Sequence, residues 1–346
     1  AIARGLANLL GEKFAILGVL FAGMVLTYGG ISALVIAFTM YPLTLAVFKR
    51  ANMPRRLIPG AIAAGCFTFA AAALPGTPQT LNVTPIPYLG TTVTAGAAIG
   101  IICGIIGIVM ICVYMYWEAA RARAAGDGFV ADTATLETMA RADEMGANIN
   151  PFVALIPILV IIVLLVGLQI NVLISMLAGS LVCVLLFFKN VKNVSGLLGD
   201  SIQSATNAAI TTGCIVGYGS VVSASTGYAT LSAALLSLDA PPLISYGLTT
   251  TILAGAAGSG TGGLAIALEN LAPQYLAMGI PAELLHRIGC LSAIGLDSLP
   301  HCGAVVVLLT LAGMTHKDSY KQIFVTTVVI TLIVAAIGIA LATIMY

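Results

Sequence analysis

Charge is what this chain has least of. Of its 346 residues only 8% are charged, 14 basic against 13 acidic, and three are histidine. A soluble domain carries about a quarter charged residues, so a soluble fold is excluded. The net charge of +1 and the lack of a basic tail give no basis for nucleic-acid binding. The seven cysteines show no CxxC spacing and lie mostly in apolar stretches; they read as packing thiols, and no metal or cofactor site is expected. Neither a GxSxG elbow nor an HExxH motif is present, which leaves hydrolase chemistry without its usual frame. The chain opens at AIARGLANLLGEK with neither an initiator Met nor a recognisable signal peptide, and is expected to begin inside a longer protein, its N-terminal spans missing.

What is abundant is apolar sequence, 60% of all residues, in runs of about 20 that recur along the whole chain and suit a hydrocarbon core of about 30 Å. The expected fold is therefore all-α, a polytopic membrane protein. Its first repeat, 1–117, comprises a segment 12–48 interrupted at Tyr28-Gly29-Gly30, a segment 57–95 broken at LPGTPQ, and a plain span 96–117. A polar cytoplasmic loop, 118–149, begins with Glu118. The second repeat, 150–346, has spans at 151–168 and 170–188 and a polar-streaked helix at 200–236. It continues with a segment 241–278 broken at GSGTGG, a segment 282–315 broken at LDSLPHCGAV, and a last span at 322–344.

Segments 12–48 and 241–278 are too long for single spans. They read as re-entrant hairpins with glycine tips, and the two broken segments read as discontinuous helices, whose bared backbone is tolerated only inside protein or beside a wet cavity. The hairpin reading puts Lys13, Lys49, Arg50, Arg55, Arg56, Arg121, Arg123, Arg141, Lys189, Lys192, Lys317 and Lys321 on the cytoplasmic side, joined by Arg4 if the start is inside. Only Arg287 is left outside, as the positive-inside rule prefers. The order hairpin, broken helix, span occurs twice with opposite orientation, the inverted repeat of secondary transporters, whose site lies at the midplane.

GGISALVIAFTMYPLTLAVF, IPGAIAAGCFTFAAAALPGTPQTLN and LDSLPHCGAVVVLLTLAGMTHKDSY resemble the gluconate permease family of cation-coupled hydroxycarboxylate symporters, within the ion transporter superfamily. That resemblance implies an elevator-type transporter of a bacterial-type inner membrane, usually a homodimer, that takes up gluconate, 3-hydroxybutyrate or a similar small organic anion. Gluconate-transporting members look more like LPPHPGPT where LPGTPQT stands here, so a smaller hydroxy or keto monocarboxylate is an equal expectation.

A carboxylate at the midplane needs fixed donors, and half-helix N-termini with glycine neighbours supply them. The candidate substrate-binding residues are Gly29, Gly30, Ser32, Thr77, Gln79, Asn82, Ser259, Gly260, Thr261, Gly262, Ser298 and His301. Intramembrane ionisable groups are functional by default, so Asp297, His301 and Glu269 are candidate proton carriers. Each has a plainer alternative: Asp297 capping the half-helix after Pro300, His301 donating to a carbonyl, Glu269 solvated near the outer surface. The coupling ion is H⁺, with Na⁺ open, because half-helix C-termini and bare carbonyls hold Na⁺ in such folds. GSGTGG also satisfies GxGxxG, but lacks the strand and downstream acid of a dinucleotide site. Gly96, Gly100 and Gly104 make a close-packing face. An anion channel, or a hydrolase using Ser298 and His301, are the alternatives from other classes.

Overall fold

The computed structural model describes residues 14–132, 135–136, 150–168, 170–190, 193–199, short stretches between 201 and 234, and 240–345. Arg4, Lys13, Arg141, Lys192 and most of the helix expected over 200–236 lie outside the described residues.

The described elements are helical, and their order follows the duplicated pattern. Helices α1 (Ala15–Tyr28) and α2 (Ala33–Arg50) form the first hairpin. The first broken helix comprises α3 (Ile58–Cys66), α4 (Phe69–Ala72), an extended stretch, then α5 (Thr80–Val83) and α6 (Ile86–Leu89). Helix α7 (Ala97–Ala124) completes the first set. A pair, α8 (Pro151–Ile162) with a π-helical extension Val163–Gly167 and α9 (Val172–Phe187), stands before the second set. That set comprises the hairpin α10 (Pro242–Ala257) and α11 (Gly260–Ala277), and the broken helix α12 (Ala282–Ala293) and α13 (Gly303–Leu311). It ends in α14 (His316–Phe324) and α15 (Ile330–Met345), joined by a π-helical turn into one long helix.

Among the described residues three helices, Ala33–Arg50, Ala97–Ala124 and His316–Met345, are long and apolar enough to cross a membrane. Helix α1, at 14 residues, spans only about 21 Å at 1.5 Å per residue and falls short of a 30 Å core.

Two boundaries move. The polar stretch expected as loop from 118 begins as two more turns of α7, and Glu118 is buried there at 3% exposure. It meets Lys321 Nζ at 3.3 Å and Gln322 Nε2 at 3.2 Å, so a helix can keep an acid inside once a second helix brings a cation and an amide. The last helix likewise starts six residues before the apolar run, at a capping box of Thr315 and Asp318; hydropathy does not see it because its first turns are polar.

Charged residues gather at one end. Arg55 pairs with Asp132 at 3.0 Å, Arg56 with Asp127 at 2.7 Å, and the hydroxyl of Ser319 donates to the Arg56 carbonyl. These contacts join the C-terminal end of α2, the start of α3, the far end of α7 and the start of α14 into one basic-rich end. The Asp132 carboxyl is held well below the usual carboxylate range by hydrogen bonds from Thr135 and by Arg55.

The two sets cross over. The half-helices α5 and α6 of the first pack against α11 of the second, and α13 of the second packs against α2 of the first. Each broken helix therefore ends on the second arm of the opposite hairpin.

Candidate functional site

Each hairpin tip is pressed against the break of its own repeat. At the first, Gly30 turns the chain at φ +90°, and a Cβ there would lie 2.7 Å from the Pro78 ring. At the second, Gly258 ends α10 at φ +61°, and a Cβ would lie 2.9 Å from the His301 ring. Both positions need the left-handed backbone that glycine adopts without cost, and both need the missing side chain.

Polar groups bolt these junctions shut. In the first repeat the Tyr28 hydroxyl donates to Pro75 O at 2.8 Å and the Thr77 hydroxyl to Tyr28 O at 3.1 Å. The Gln79 amide donates to Thr27 O at 2.7 Å and Ile31 O at 2.9 Å, tying both arms of the hairpin to the break. The Asn82 amide donates to Thr77 O and Val93 O, each at 2.9 Å. Thr77, Gln79 and Asn82 are thus brought together as expected, but their donors already serve main-chain carbonyls of the hairpin and of the break.

In the second repeat Asp297 accepts from the Ser298 hydroxyl at 2.8 Å and from the Gly260 amide. This corrects the cap expected for it. Asp297 stabilises the N-terminus of the hairpin arm α11, whereas its own half-helix α13 starts at Cys302 without a side-chain cap bond. His301 Nε2 donates to Gly255 O at 2.9 Å, the plainer of its two readings. Ser259 is the N-cap of α11, accepting from Gly262 N. Thr261 is half-buried on the first turn of α11, and Glu269 lies on that helix's exposed side, away from the junction.

Several of the longer described helices start without a side-chain cap, α2 and α13 among them. Ser32, exposed at the N-cap of α2, makes no cap bond, so the amides of Ala33, Leu34 and Val35 are the uncompensated donors of a helix start. At α13 no side-chain oxygen caps, and the Cys302 side chain faces the amides of Ala304 and Val305. Both helices run toward the basic end: the Tyr41 hydroxyl of α2 reaches Ala312 O, just past α13, and Arg55 donates to the same carbonyl. Helix α13 packs against α2, and the dipole at the start of α2 favours an anion. The corresponding place in the other half, the start of α11, is already filled by Asp297 and Ser259.

Sequence reasoning missed His286 and Arg287. Both are fully buried at 0% exposure, and Arg287, expected on the outer surface, lies behind the first break. Its Nη1 donates to Ala72 O at 2.8 Å, and its Nε and Nη2 to Ala95 O at 3.0 and 2.8 Å. The glycine face of α7 makes the room: a Cβ on Gly96 would lie 2.6 Å from Arg287 Cβ, and one on Gly100 2.3 Å from Ala73 O. His286 Nε2 faces Asn82 Oδ1 at 3.3 Å and Nδ1 faces the Thr91 hydroxyl at 2.7 Å. Because the Asn82 amide nitrogen is committed elsewhere, Nε2 carries the proton and Nδ1 accepts. Thr91 also lines a cavity of about 300 Å³, with Thr92, Thr94, Ile86, Leu165 and Asn171 among its walls. The one legible signal was that His286 and Arg287 sit between apolar residues on a segment that otherwise reads as a membrane helix.

No family model matches the chain. Over 97% of its length it is 32% identical to the uncharacterized transporter YxjC of Bacillus subtilis (strain 168), of which it covers 80%. Among solved structures it is similar to the YdaH transporter of Alcanivorax borkumensis, with a TM-score of 0.56 and 17% identity, over 99% of this chain and 80% of that one; at that identity the likeness concerns the fold. With helices apolar enough to span a bilayer, and with this identity and coverage, the chain belongs to the family of multi-pass membrane transporters that includes YxjC.

Proposed function

We propose that the protein is a secondary active transporter of the gluconate permease type, taking up a small hydroxy- or keto-carboxylate with protons across a bacterial-type inner membrane. The observation that carries this reading is the pair of hairpin tips pressed on helix breaks, with the start of α2 beside the first tip left without a side-chain cap. A helix start supplies about half a positive charge, and it needs no arginine to hold a carboxylate. The hydroxyl of Ser32 stands at this start as a side-chain donor. Asp297 is the proton carrier in this reading, since a proton there removes the charge that the Gly260 amide and Ser298 hydroxyl hold. The junctions tie each hairpin to its break, so the two halves move as one transport body. Helices α8 and α9, which touch the first tip through Ile158 at Gly29 and Met176 at Gly30, belong to the scaffold of an elevator and of a homodimer.

The test is Ser32→Asp. A carboxylate at this N-cap occupies in the first repeat the role Asp297 has in the second. It stabilises the helix start by about 1 kcal/mol and competes with the substrate's own carboxylate. The expected outcome is a melting temperature equal to or above that of the unsubstituted protein with uptake reduced at least a hundredfold, while Ser32→Ala keeps its melting temperature and loses far less uptake. Normal uptake by Ser32→Asp, read in proteoliposomes, rejects the site.

A further inference from the structure

Arg287 is a full positive charge with no exposure, and among the described residues no carboxylate forms an ion pair with it. Its partners are carbonyls alone: Ala72 O, the last residue of α4, Ala95 O, and Val93 O at 3.5 Å. The end of a half-helix is the negative end of its dipole, and Ala72 O is one of the carbonyls the break strips of an intrahelical partner. Ala72 O at a half-helix end, joined by Ala95 O from the stretch before α7, makes a carbonyl pair of the kind that secondary transporters offer to alkali cations. The second break differs: its carbonyls take neutral donors or imidazole, with Tyr320 on Ser298 O, His316 on Pro300 O and Thr251 on Ser292 O.

We propose that Arg287 is a tethered cation: its guanidinium fills, in the first repeat, the carbonyl-lined place where an exchangeable ion would otherwise sit. The first repeat then binds no coupling ion, and coupling is left to the second, where the protein's own intramembrane acid, Asp297, stands. The structural half of this statement is independent of the proposed substrate; the coupling half rests on the transporter reading given above. Gly96 and Gly100 belong to the same device, since they leave the channel through which the arginine stem passes. Arg287 is a positioning residue: it holds the first break in shape and touches no substrate.

The experiment is chemical replacement in the purified full chain. Arg287→Ala is expected to melt about 5 °C or more lower. Methylguanidinium at about 20 mM, far below denaturing concentrations, is expected to restore at least half of that loss and to leave the unsubstituted protein unmoved. Na⁺ is expected to restore part of it and tetramethylammonium none. Arg287→Met, which keeps the length and removes the charge, is expected to melt as low as the alanine variant. If Arg287→Ala yields no folded protein, purification in methylguanidinium recovers it under the proposal.

Three results overturn the proposal: a methionine variant as stable as the unsubstituted protein, no rise or recovery specific to methylguanidinium, or loss of uptake with an unchanged melting temperature. The last would make Arg287 a substrate ligand. None of the melting results depends on which acid is carried, so failure of the carboxylate reading leaves this test intact.

Discussion

Replacing Gln79 with glutamate is expected to abolish uptake. The amide of Gln79 points both of its hydrogens at main-chain carbonyls, Thr27 O on α1 and Ile31 O at the turn into α2. A carboxylate in its place removes two donors and sets a charge against two acceptors in a half-buried junction. Losing the bonds and burying that repulsion costs about 3 kcal/mol, enough to free the first hairpin tip from the break. The check is limited proteolysis of the hairpin alongside uptake: Gln79→Glu is expected to be cut near Gly29-Gly30 where the unsubstituted protein is not. An intact hairpin with normal uptake would show that the junction does not hold the tip.

The second large effect is expected at Gly263. Here the arms of the second hairpin approach so closely that a Cβ would lie 2.2 Å from both the nitrogen and the Cα of Ala254. The obstacle is backbone, which cannot swing aside, so Gly263→Val forces α10 and α11 apart at their closest point. Overpacking of this kind costs about 3 kcal/mol, and the displacement travels to the tip, where Gly258 touches His301 and Gly260 meets Asp297. Expected results are a much reduced yield of folded protein and no measurable uptake from what remains. Gly199→Ala, where nothing lies within 4 Å, serves as the control and is expected to behave normally. Equal behaviour of the two variants would contradict the packing account of the hairpin.

Much of the fold is legible because its punctuation is chemical. Tyr28-Gly29-Gly30 and GSGTGG interrupt apolar runs that are too long to be single spans, and the structure turns at both places. LPGTPQ and LDSLPHCG put proline and glycine inside membrane segments, and both helices break there. Element ends were less legible where a helix leaves the apolar zone: α7 and α14 run on through Trp117–Ala124 and His316–Lys321, and polar composition there says nothing about helix or loop.

The site was half legible. The motifs named the right stretches, but sequence could not tell which polar groups are spent on the fold. Thr77, Gln79 and Asn82 look like ligands until their donors are traced to carbonyls. Asp297 looks like a cap for its own half-helix, and the tertiary fold gives it to another. Arg287 looks like the one basic residue left on the outer side, because charge counting along a chain cannot foresee carbonyls brought in from residues 72, 93 and 95.

The measurement that tests the central claim most directly is accumulation of labelled 3-hydroxybutyrate and gluconate in proteoliposomes under an imposed proton gradient, with an imposed Na⁺ gradient as the comparison. The account predicts that at least one acid is concentrated severalfold above its external level when the proton gradient is present, and only then. Equilibration without concentration under both gradients would contradict active transport and leave a channel; concentration driven by Na⁺ alone would keep the fold and the site and contradict the assignment of the ion.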